Sequence, residues 1–118
     1  MTWTVNMHDS VTEWLDSLAG KPKDHALASI DMLQADGPGL RRPVVGKIEG
    51  SRHNNMKELI TKTVRILFVF DPNREAILLV AGDKSDDWRG WYKTAIPLAD
   101  NRYDEWLAWL EQQKKGRK

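Results

Sequence analysis

The 118-residue sequence contains no cysteine, so disulfide bonds and thiolate metal sites are excluded. Long apolar runs are also missing, and none approaches the roughly 20 residues that a membrane-spanning helix needs. The opening segment, MTWTVNMHDS, lacks the basic stretch followed by an apolar stretch that marks a secretory signal. These absences predict a globular, cytoplasmic protein without membrane contacts, and the length predicts a single domain over residues 1–118.

The net charge is only +1, but the charges are unevenly distributed along the chain. Residues 1–40 carry two Lys or Arg and six acids, a net of −4, whereas residues 41–118 carry sixteen and eleven, a net of +5. The basic excess is concentrated in residues 41–65, at Arg41, Arg42, Lys47, Arg52, Lys57, Lys62 and Arg65. This asymmetry favours an anionic partner for one surface, and a solvated surface of mixed charge is the alternative.

The apolar pattern divides the chain into strands and helices. TWTVNM alternates as a strand does, and a helix capped by Asp9 or Ser10 follows it. A second helix is predicted over about 22–35, with Leu27 among its inward residues. Strands are predicted in VVGKIEG, NMKELI, VRILFVF and EAILLVAG, and a last helix after Pro97. This order predicts an α+β domain with two N-terminal helices and a C-terminal helix around a small antiparallel sheet.

A conditional register brings three basic residues to one face of this sheet. If Thr61–Thr63 is a three-residue loop, Lys57 lies opposite Leu67. If Phe70 likewise faces Glu75 across a four-residue turn, Arg65 lies opposite Val80. The two-residue period of strands then places Lys57, Arg65 and, just beyond the last strand, Lys84 on the same side. A loop of another length would turn one strand over and separate them. Each residue alone has a structural explanation, such as pairing of Arg65 with Glu58. Together they predict an electropositive cleft for phosphates.

The segment after the last predicted strand, GDKSDDWRGWYK, combines basic residues with three large aromatics. We expect Trp91, beside Tyr92, to be exposed and able to stack on an unpaired base. Trp88 and Trp106 are expected to pack in or near the core, where the chain turns into the last helix. With the three basic residues, the segment predicts a cleft for phosphates whose aromatic rings can stack on unpaired bases.

The sequence offers little to a metal ion or a cofactor. The histidines His8, His25 and His53 lie far apart, and none belongs to a ligand pair at helical spacing. DKSDDW resembles the start of a calcium loop, but Trp88 and Thr94 occupy the positions that require Gly and Glu. We therefore expect neither a metal nor a cofactor.

Residues 56–107 resemble a known protein family. The pattern KEL, RILFVFDP, AILLVAGDK and WYKTAIPLAD is similar to the phage-derived, HigB-like branch of the RelE/ParE toxin superfamily, the toxins of type II toxin–antitoxin systems. The resemblance implies a RelE-like fold and a metal-independent endoribonuclease that cuts mRNA on translating ribosomes, leaving a 2′,3′-cyclic phosphate. It also implies a HigA-like helix-turn-helix antitoxin as partner, with operator DNA bound only through that antitoxin.

The same resemblance assigns four catalytic positions. Lys57 matches the basic residue on the strand before the hairpin, and Arg65 matches the arginine that opens the next strand. Lys84 stands near the basic residue after the last strand, and Tyr92 near the catalytic aromatic hydroxyl. The reaction needs a base, an acid for the leaving 5′-oxygen and cations for the phosphorane charge. Further RNA contacts are predicted for Arg52, His53, Lys62, Arg89, Trp91 and Lys93.

Two other functions stay open. A ParE-like toxin that inhibits DNA gyrase and cuts nothing would have the same fold, because fold does not determine function. A degenerate toxin that acts only in a repressor complex is the second alternative. Val64 and Lys84 keep it open, since an aromatic residue and an arginine are common at these family positions. The presence of Lys57, Arg65, Lys84 and Tyr92 favours the nuclease.

Overall fold

The computed structural model describes residues 2–84 and 88–116, without the side chain of Trp88. Its elements are β1 (Val5–Met7), α1 (Asp9–Ser17), α2 (Gly20–Asp36), a 3-10 turn (Gly37–Gly39), β2 (Val45–Lys47), β3 (Lys57–Thr61), β4 (Val64–Phe70), β5 (Ala76–Asp83) and α3 (Trp88–Lys115). In these ranges, no helix combines the length and the hydropathy required to cross a bilayer.

The five strands form one sheet in the order β1-β5-β4-β3-β2. The pairs β2–β3, β3–β4 and β4–β5 are antiparallel, as predicted, while β1 adds to the edge in parallel with β5. Helices α1 and α2 pack on one face of the sheet and α3 on the other, since two separate apolar clusters fill these two spaces. The α+β class, with two N-terminal helices and one C-terminal helix, is confirmed.

The central strand β4 explains why the sheet has two cores. Its first six residues are buried, and the continuous apolar run ILFVF predicts such a strand, covered on both faces, at the centre of the sheet. Ile66 and Phe68 point to the α1/α2 side, whereas Leu67 and Val69 point to the α3 side. Successive residues of β4 therefore belong to different cores, and the register of the neighbouring strands decides on which side of the sheet each polar residue lies.

The hairpin between β3 and β4 contradicts the predicted register. Thr61 pairs with Val64 across a two-residue turn, in which Lys62 adopts a left-handed conformation with φ of 55°. Lys57 therefore faces Phe68, on the α1/α2 side, whereas Arg65 pairs with Ile60 on the α3 side. The predicted common face for Lys57 and Arg65 is wrong, because shortening the loop by one residue turns β3 over relative to β4.

The β4–β5 register also differs from the prediction. Arg65 pairs with Gly82, and an irregularity opposite Leu67 and Phe68 shifts the β5 partners by one residue. The bulge directs both Leu79 and Val80 into the core beneath α3. Hence Arg65 remains on the same side of the sheet as α3, although its partner is not the one expected.

The helices start and end differently from the prediction. His8, rather than Asp9 or Ser10, caps α1, because its Nδ1 accepts a hydrogen bond from the backbone N–H of Ser10 at 3.1 Å. Leu27, expected to be inward, is 41% exposed. The turn after α2 requires glycine: Gly37 has φ of 57°, and a Cβ there would lie 2.3 Å from the Trp3 ring.

Helix α3 begins at Trp88, so it already contains the segment that was predicted to precede it. Pro97 lies inside the helix and is exposed, while Ala95 and Ala99 on the opposite side are buried against the sheet. The single backbone hydrogen bond that proline removes is outweighed by this packing. Trp106, expected in or near the core, packs against it, and its Nε1–H donates to Asp71 Oδ2 at 2.9 Å.

Candidate functional site

A cavity of about 430 Å³ opens between the β2 edge of the sheet and the first turns of α3. We call it the Arg65 cleft. It is lined by Arg42, Lys47, Ile48, Glu49, Glu58, Ile60, Arg65, Lys84, Tyr92 and Ile96. Four cations and two carboxylates therefore face a common space, and three of the four predicted catalytic residues, Arg65, Lys84 and Tyr92, are among them.

A buried network joins Glu58, Arg65 and Tyr92 at the floor of this cleft. The Tyr92 hydroxyl donates a hydrogen bond to Glu58 Oε1 at 2.5 Å, and Arg65 Nε lies 3.3 Å from the same oxygen. Glu58 and Arg65 are each only 9% exposed, so each charge stabilises the other where water is largely excluded. The ion pair that was the structural explanation for Arg65 is therefore present, and it is part of the site.

The guanidinium group of Arg65 is fixed by the turn that precedes it. Its Nη1 donates to the backbone carbonyls of Lys62 and Val64, the latter at 2.9 Å. Its buried Nε approaches Glu58 without the geometry of a hydrogen bond. The two-residue turn that contradicts the predicted register thus also holds the Arg65 guanidinium in place. The Arg65 Nε interacts with the Glu58 carboxylate through charge only, without a hydrogen bond.

Burial, followed by the hydrogen bond and the negative charge of Glu58, raises the pKa of Tyr92 to about 12, and the opposing influence of Arg65 is smaller. The phenol is therefore protonated at neutral pH. A group in this state can donate a proton or a hydrogen bond, but it cannot act as a base. The environment thus limits Tyr92 to the acid side of any proton transfer in the cleft.

Lys84 follows β5, and its backbone N–H donates to the carbonyl of Thr63 at 3.0 Å. This bond connects the end of β5 to the β3–β4 turn, so Lys84 reaches the same cleft as Arg65. The side of the sheet on which Lys84 and Arg65 meet agrees with the prediction. Only Lys57 is missing from the predicted set.

Lys57 lines a different cavity of about 330 Å³, which we call the Lys57 cavity. Its lining consists of Pro38, Leu40, Arg41, Arg42, Val45, Gly46, Lys47, Asn54, Met56 and Lys57. The Lys57 ammonium lies 5.6 Å from the centroid of the Phe70 ring, within cation–π distance. This side chain is therefore directed away from the network of Arg65.

Arg52 and His53, predicted to contact RNA, instead connect the β2–β3 loop to α3. Arg52 forms an ion pair with Asp104 and lies 4.0 Å from Asp100, and His53 Nε2 lies 2.8 Å from Asp104 Oδ1. Hydrogen bonds from Arg52, and then His53, lower the pKa of the Asp104 carboxyl. The partners in the structure are thus carboxylates, and the geometry favours an anchoring role for both residues.

The remaining predicted RNA contacts lie around the cleft at different distances. Arg89 and Lys93 are exposed one helical turn apart on α3, beside a cavity that shares Tyr92 and Ile96 with the Arg65 cleft. Lys62 lies in the β3–β4 turn and lines a separate small cavity near the start of α2. Arg89 and Lys93 therefore extend the basic lining of the cleft, whereas Lys62 does not.

Trp91 is only partly exposed and packs against the core beneath α3. A Cβ on Gly82 would lie 2.3 Å from its Nε1, so the ring covers the backbone of β5 where glycine leaves room. Its ring also meets Tyr92 edge-on at 5.0 Å. The expectation of an exposed ring is wrong, and Trp91 instead supports Tyr92. The predicted packing of Trp88 concerns a side chain outside the described residues.

Four ionisable residues that line the cleft were not predicted as site residues: Arg42, Lys47, Glu49 and Glu58. The basic excess in residues 41–65 contained Arg42 and Lys47, but charge alone could not say which face they occupy. Glu58 was named only as a possible partner of Arg65. Its contact with Tyr92, 34 residues away in sequence, had no signal in the pattern.

The fold is that of RelE-like toxins. Mutant Escherichia coli toxin RelE in the free state superposes with a TM-score of 0.60 at 9% identity, covering 82% of this chain and 97% of that one. RelE of the archaeal RelE–RelB complex from Pyrococcus horikoshii superposes with a TM-score of 0.59 at 22% identity, covering 73% and 99%. Similarity at these identities establishes the fold alone.

The chain belongs to the family described as Phage derived protein Gp49-like (DUF891), whose profile matches residues 13–104, and to the HigB-like toxins of toxin–antitoxin systems. It is 46% identical over 100 residues to "Putative toxin HigB3" of Mycobacterium tuberculosis, covering 83% of this chain and 88% of the relative. It is 40% identical to "Putative toxin HigB2" of the same organism over 98% of this chain, which spans 60% of that relative's length. The resemblance seen in the sequence is confirmed.

Proposed function

We propose that this toxin is an endoribonuclease that cuts mRNA on translating ribosomes and thereby inhibits translation. One observation carries the proposal: Arg65, Lys84 and Tyr92 line the same cleft. Within it, Arg65 and Tyr92 also contact Glu58. In the described ranges, no group of three or more His, Cys, Asp or Glu is arranged to hold a metal ion. The proposed reaction uses an acid, a base and cations of the chain itself.

The proposed reaction moves one proton at each end of the attack. Glu58 takes the proton from the ribose 2′-hydroxyl, whose oxygen then bonds to the adjacent phosphorus. The bond from phosphorus to the 5′-oxygen breaks, and Tyr92 gives its proton to that oxygen. A 2′,3′-cyclic phosphate and a 5′-hydroxyl result. The raised pKa of Tyr92 supports its role as the acid. After the reaction, the proton that Glu58 took can pass to the Tyr92 phenolate along the hydrogen bond between the two side chains.

Arg65 and Lys84 supply the positive charge that the phosphorane needs. Two backbone carbonyls hold the Arg65 guanidinium in place, and Glu58 is its ion-pair partner, so little reorganisation accompanies the reaction. Lys84 enters the same space from the end of β5. Lys57 has no part in this scheme, because its side chain lies on the other side of the sheet.

The proposed partner is a HigA-like helix-turn-helix antitoxin, with operator DNA bound only through it. Support comes from two related folds that were solved as toxin–antitoxin complexes. One is RelE–RelB of Pyrococcus horikoshii, and the other is RelBE2 of Mycobacterium tuberculosis, with a TM-score of 0.52 at 14% identity over 70% of this chain. Co-purification of the toxin with the product of an adjacent short gene tests this part of the proposal.

Primer extension on a defined message during brief induction tests the nuclease. We expect codon-phased cuts whose new 5′ ends accept phosphate from polynucleotide kinase without prior dephosphorylation. Glu58→Gln keeps the size of the side chain but removes the base, and should lower cutting by about a hundredfold or more. Intact message together with arrested replication would instead identify a gyrase inhibitor and end the proposal.

A further inference from the structure

The Arg65 cleft and the Lys57 cavity lie on opposite sides of the sheet but meet at its edge. Strand β2 is the last strand on that side, and its three residues pair only with β3. Arg42 and Lys47 line both cavities, so the two spaces are continuous around β2. Arg42 packs on Gly46 of this strand, since a Cβ there would lie 3.4 Å from Arg42 Nη2. The Arg42 guanidinium thus lies against the bare backbone of the edge strand.

The charges of the Lys57 cavity differ from those of the other basic residues of the chain. Its lining contains four cations, Arg41, Arg42, Lys47 and Lys57, and no Asp or Glu. Among the described residues, no carboxylate forms an ion pair with any of these four. Arg52, by contrast, is paired with Asp104, and Arg65 with Glu58. Four like charges that no ion pair neutralises repel one another, so they attract an anion of extended shape.

We propose that the Lys57 cavity binds the phosphodiester backbone of the single-stranded RNA that continues from the Arg65 cleft around the β2 edge. The identity of this ligand rests on the proposed function. The shared residues Arg42 and Lys47 favour RNA over a separate acidic protein segment, because a strand leaving the cleft meets them on its way to Lys57. Lys57 is thus a substrate-binding residue outside the reacting centre, since it contacts phosphates away from the cut.

The test compares two oligoribonucleotides that carry 2′-O-methyl groups and therefore cannot be cut. One has about three nucleotides, which fill the Arg65 cleft, and the other about nine, which also reach the Lys57 cavity. Affinities are measured by fluorescence anisotropy at 50 and 200 mM salt. The variant is Arg41→Gln/Lys57→Gln, and the matched control is Lys114→Gln/Lys115→Gln, which removes two exposed charges at the end of α3. Circular dichroism and thermal melts verify that all three proteins are folded.

We expect the variant to bind the longer RNA more weakly than the parent and the shorter RNA equally well. For single strands, the slope of log affinity against log salt concentration becomes shallower by about 0.7 per lost phosphate contact, or by about 1.4 for two. Over a fourfold salt increase, the parent should therefore lose about sevenfold more affinity for the longer RNA than the variant does. The control variant should retain the parent's slope.

Several results would overturn this inference. Equal salt slopes for parent and variant would do so, as would a parent that binds neither oligonucleotide. A variant that loses antitoxin binding while keeping its RNA affinities would identify an acidic protein segment as the occupant. If an RNA hairpin with the same number of phosphates showed the difference and the single strand did not, the site would be specific for structured RNA. Should no message be cut while the sevenfold difference appears, the proposed function alone fails.

Discussion

Lys57 and Arg65 are basic residues of neighbouring strands, and their surroundings differ in almost every physical respect. Arg65 is 9% exposed, is paired with Glu58 and is bonded to two backbone carbonyls. Lys57 is partly exposed, lies near the Phe70 ring and shares its cavity with three further cations. A fixed, buried cation suits the stabilisation of a developing charge, whereas an uncompensated cluster suits the attraction of a polyanion. Residue type and proximity in sequence therefore do not establish a common role for Lys57 and Arg65.

The largest expected effect comes from removing the buried cation. Arg65→Ala should lower mRNA cutting by about a hundredfold or more, because it deletes a fixed donor from the charged transition state. It should also lower the free energy of unfolding by roughly 3 kcal/mol or more, since Glu58 is left buried without its partner. Cleavage assays and urea unfolding measure the two effects.

Lys57→Ala provides the contrasting arm of this experiment. It should leave the melting temperature nearly unchanged, because a partly exposed side chain with a cation–π contact contributes on the order of 1 kcal/mol or less. Similar losses of stability in the two variants would remove the distinction between the two faces of the sheet.

The acid of the proposed reaction gives the next largest effect. Tyr92→Phe should lower cutting by about a hundredfold, within the usual contribution of a positioned acid, while the ring continues to pack against Trp91. The same variant reports the pKa of Tyr92 through the difference in phenolate absorbance from the parent. With a pKa of about 12, Tyr92 should be about one-tenth ionised at pH 11, whereas a phenol at the ordinary value of 10.0 would be about nine-tenths ionised.

The raised pKa also determines how stability depends on pH. Between pH 10 and about 12 the folded protein retains a proton on Tyr92 that the unfolded chain has lost. Stability from this group is therefore fully present below pH 10 and decreases as the pH rises through that range. Tyr92→Phe should show a smaller decrease than the parent. An ordinary phenolate titration near pH 10 in the folded protein would contradict this account of the cleft.

A smaller effect is expected from filling the space that Gly82 leaves for the Trp91 ring. Gly82→Ala would place a Cβ 2.3 Å from Trp91 Nε1, and the ring would have to move. Overpacking of this kind typically costs about 1–3 kcal/mol, and the displaced Trp91 would also disturb Tyr92. Gly39→Ala is the matched control, because a Cβ there would meet nothing within 4 Å. Thermal melts of both variants decide whether the α3 side is tightly packed, and equal melting temperatures would show that it is not.

Much of the fold could be predicted from local sequence pattern. The run ILFVF predicted a central strand, and the apolar stripes predicted two helices before the sheet and one after it. The basic excess in residues 41–65 predicted a positively charged surface, and Arg42, Lys47, Lys57 and Arg65 do line the two cavities at the β2 edge. These features follow from the hydrophobicity and the charge of each side chain, which do not depend on where the chain places it.

The tertiary structure alone decided which of these residues meet. The face of each strand residue depends on whether the β3–β4 turn has two or three residues, and Lys62 accepts a positive φ because the tighter turn places Leu59, Val64 and Ile66 together against α1 and α2. Burial of that apolar set fixes the register, and the register then separates Lys57 from Arg65. In the same way, the contact between Glu58 and Tyr92 exists only because α3 packs across the sheet. Sequence determined the charges and the apolar runs of this protein, and packing determined the site, because a side chain's neighbours depend on the register and on long-range contacts that no local pattern contains.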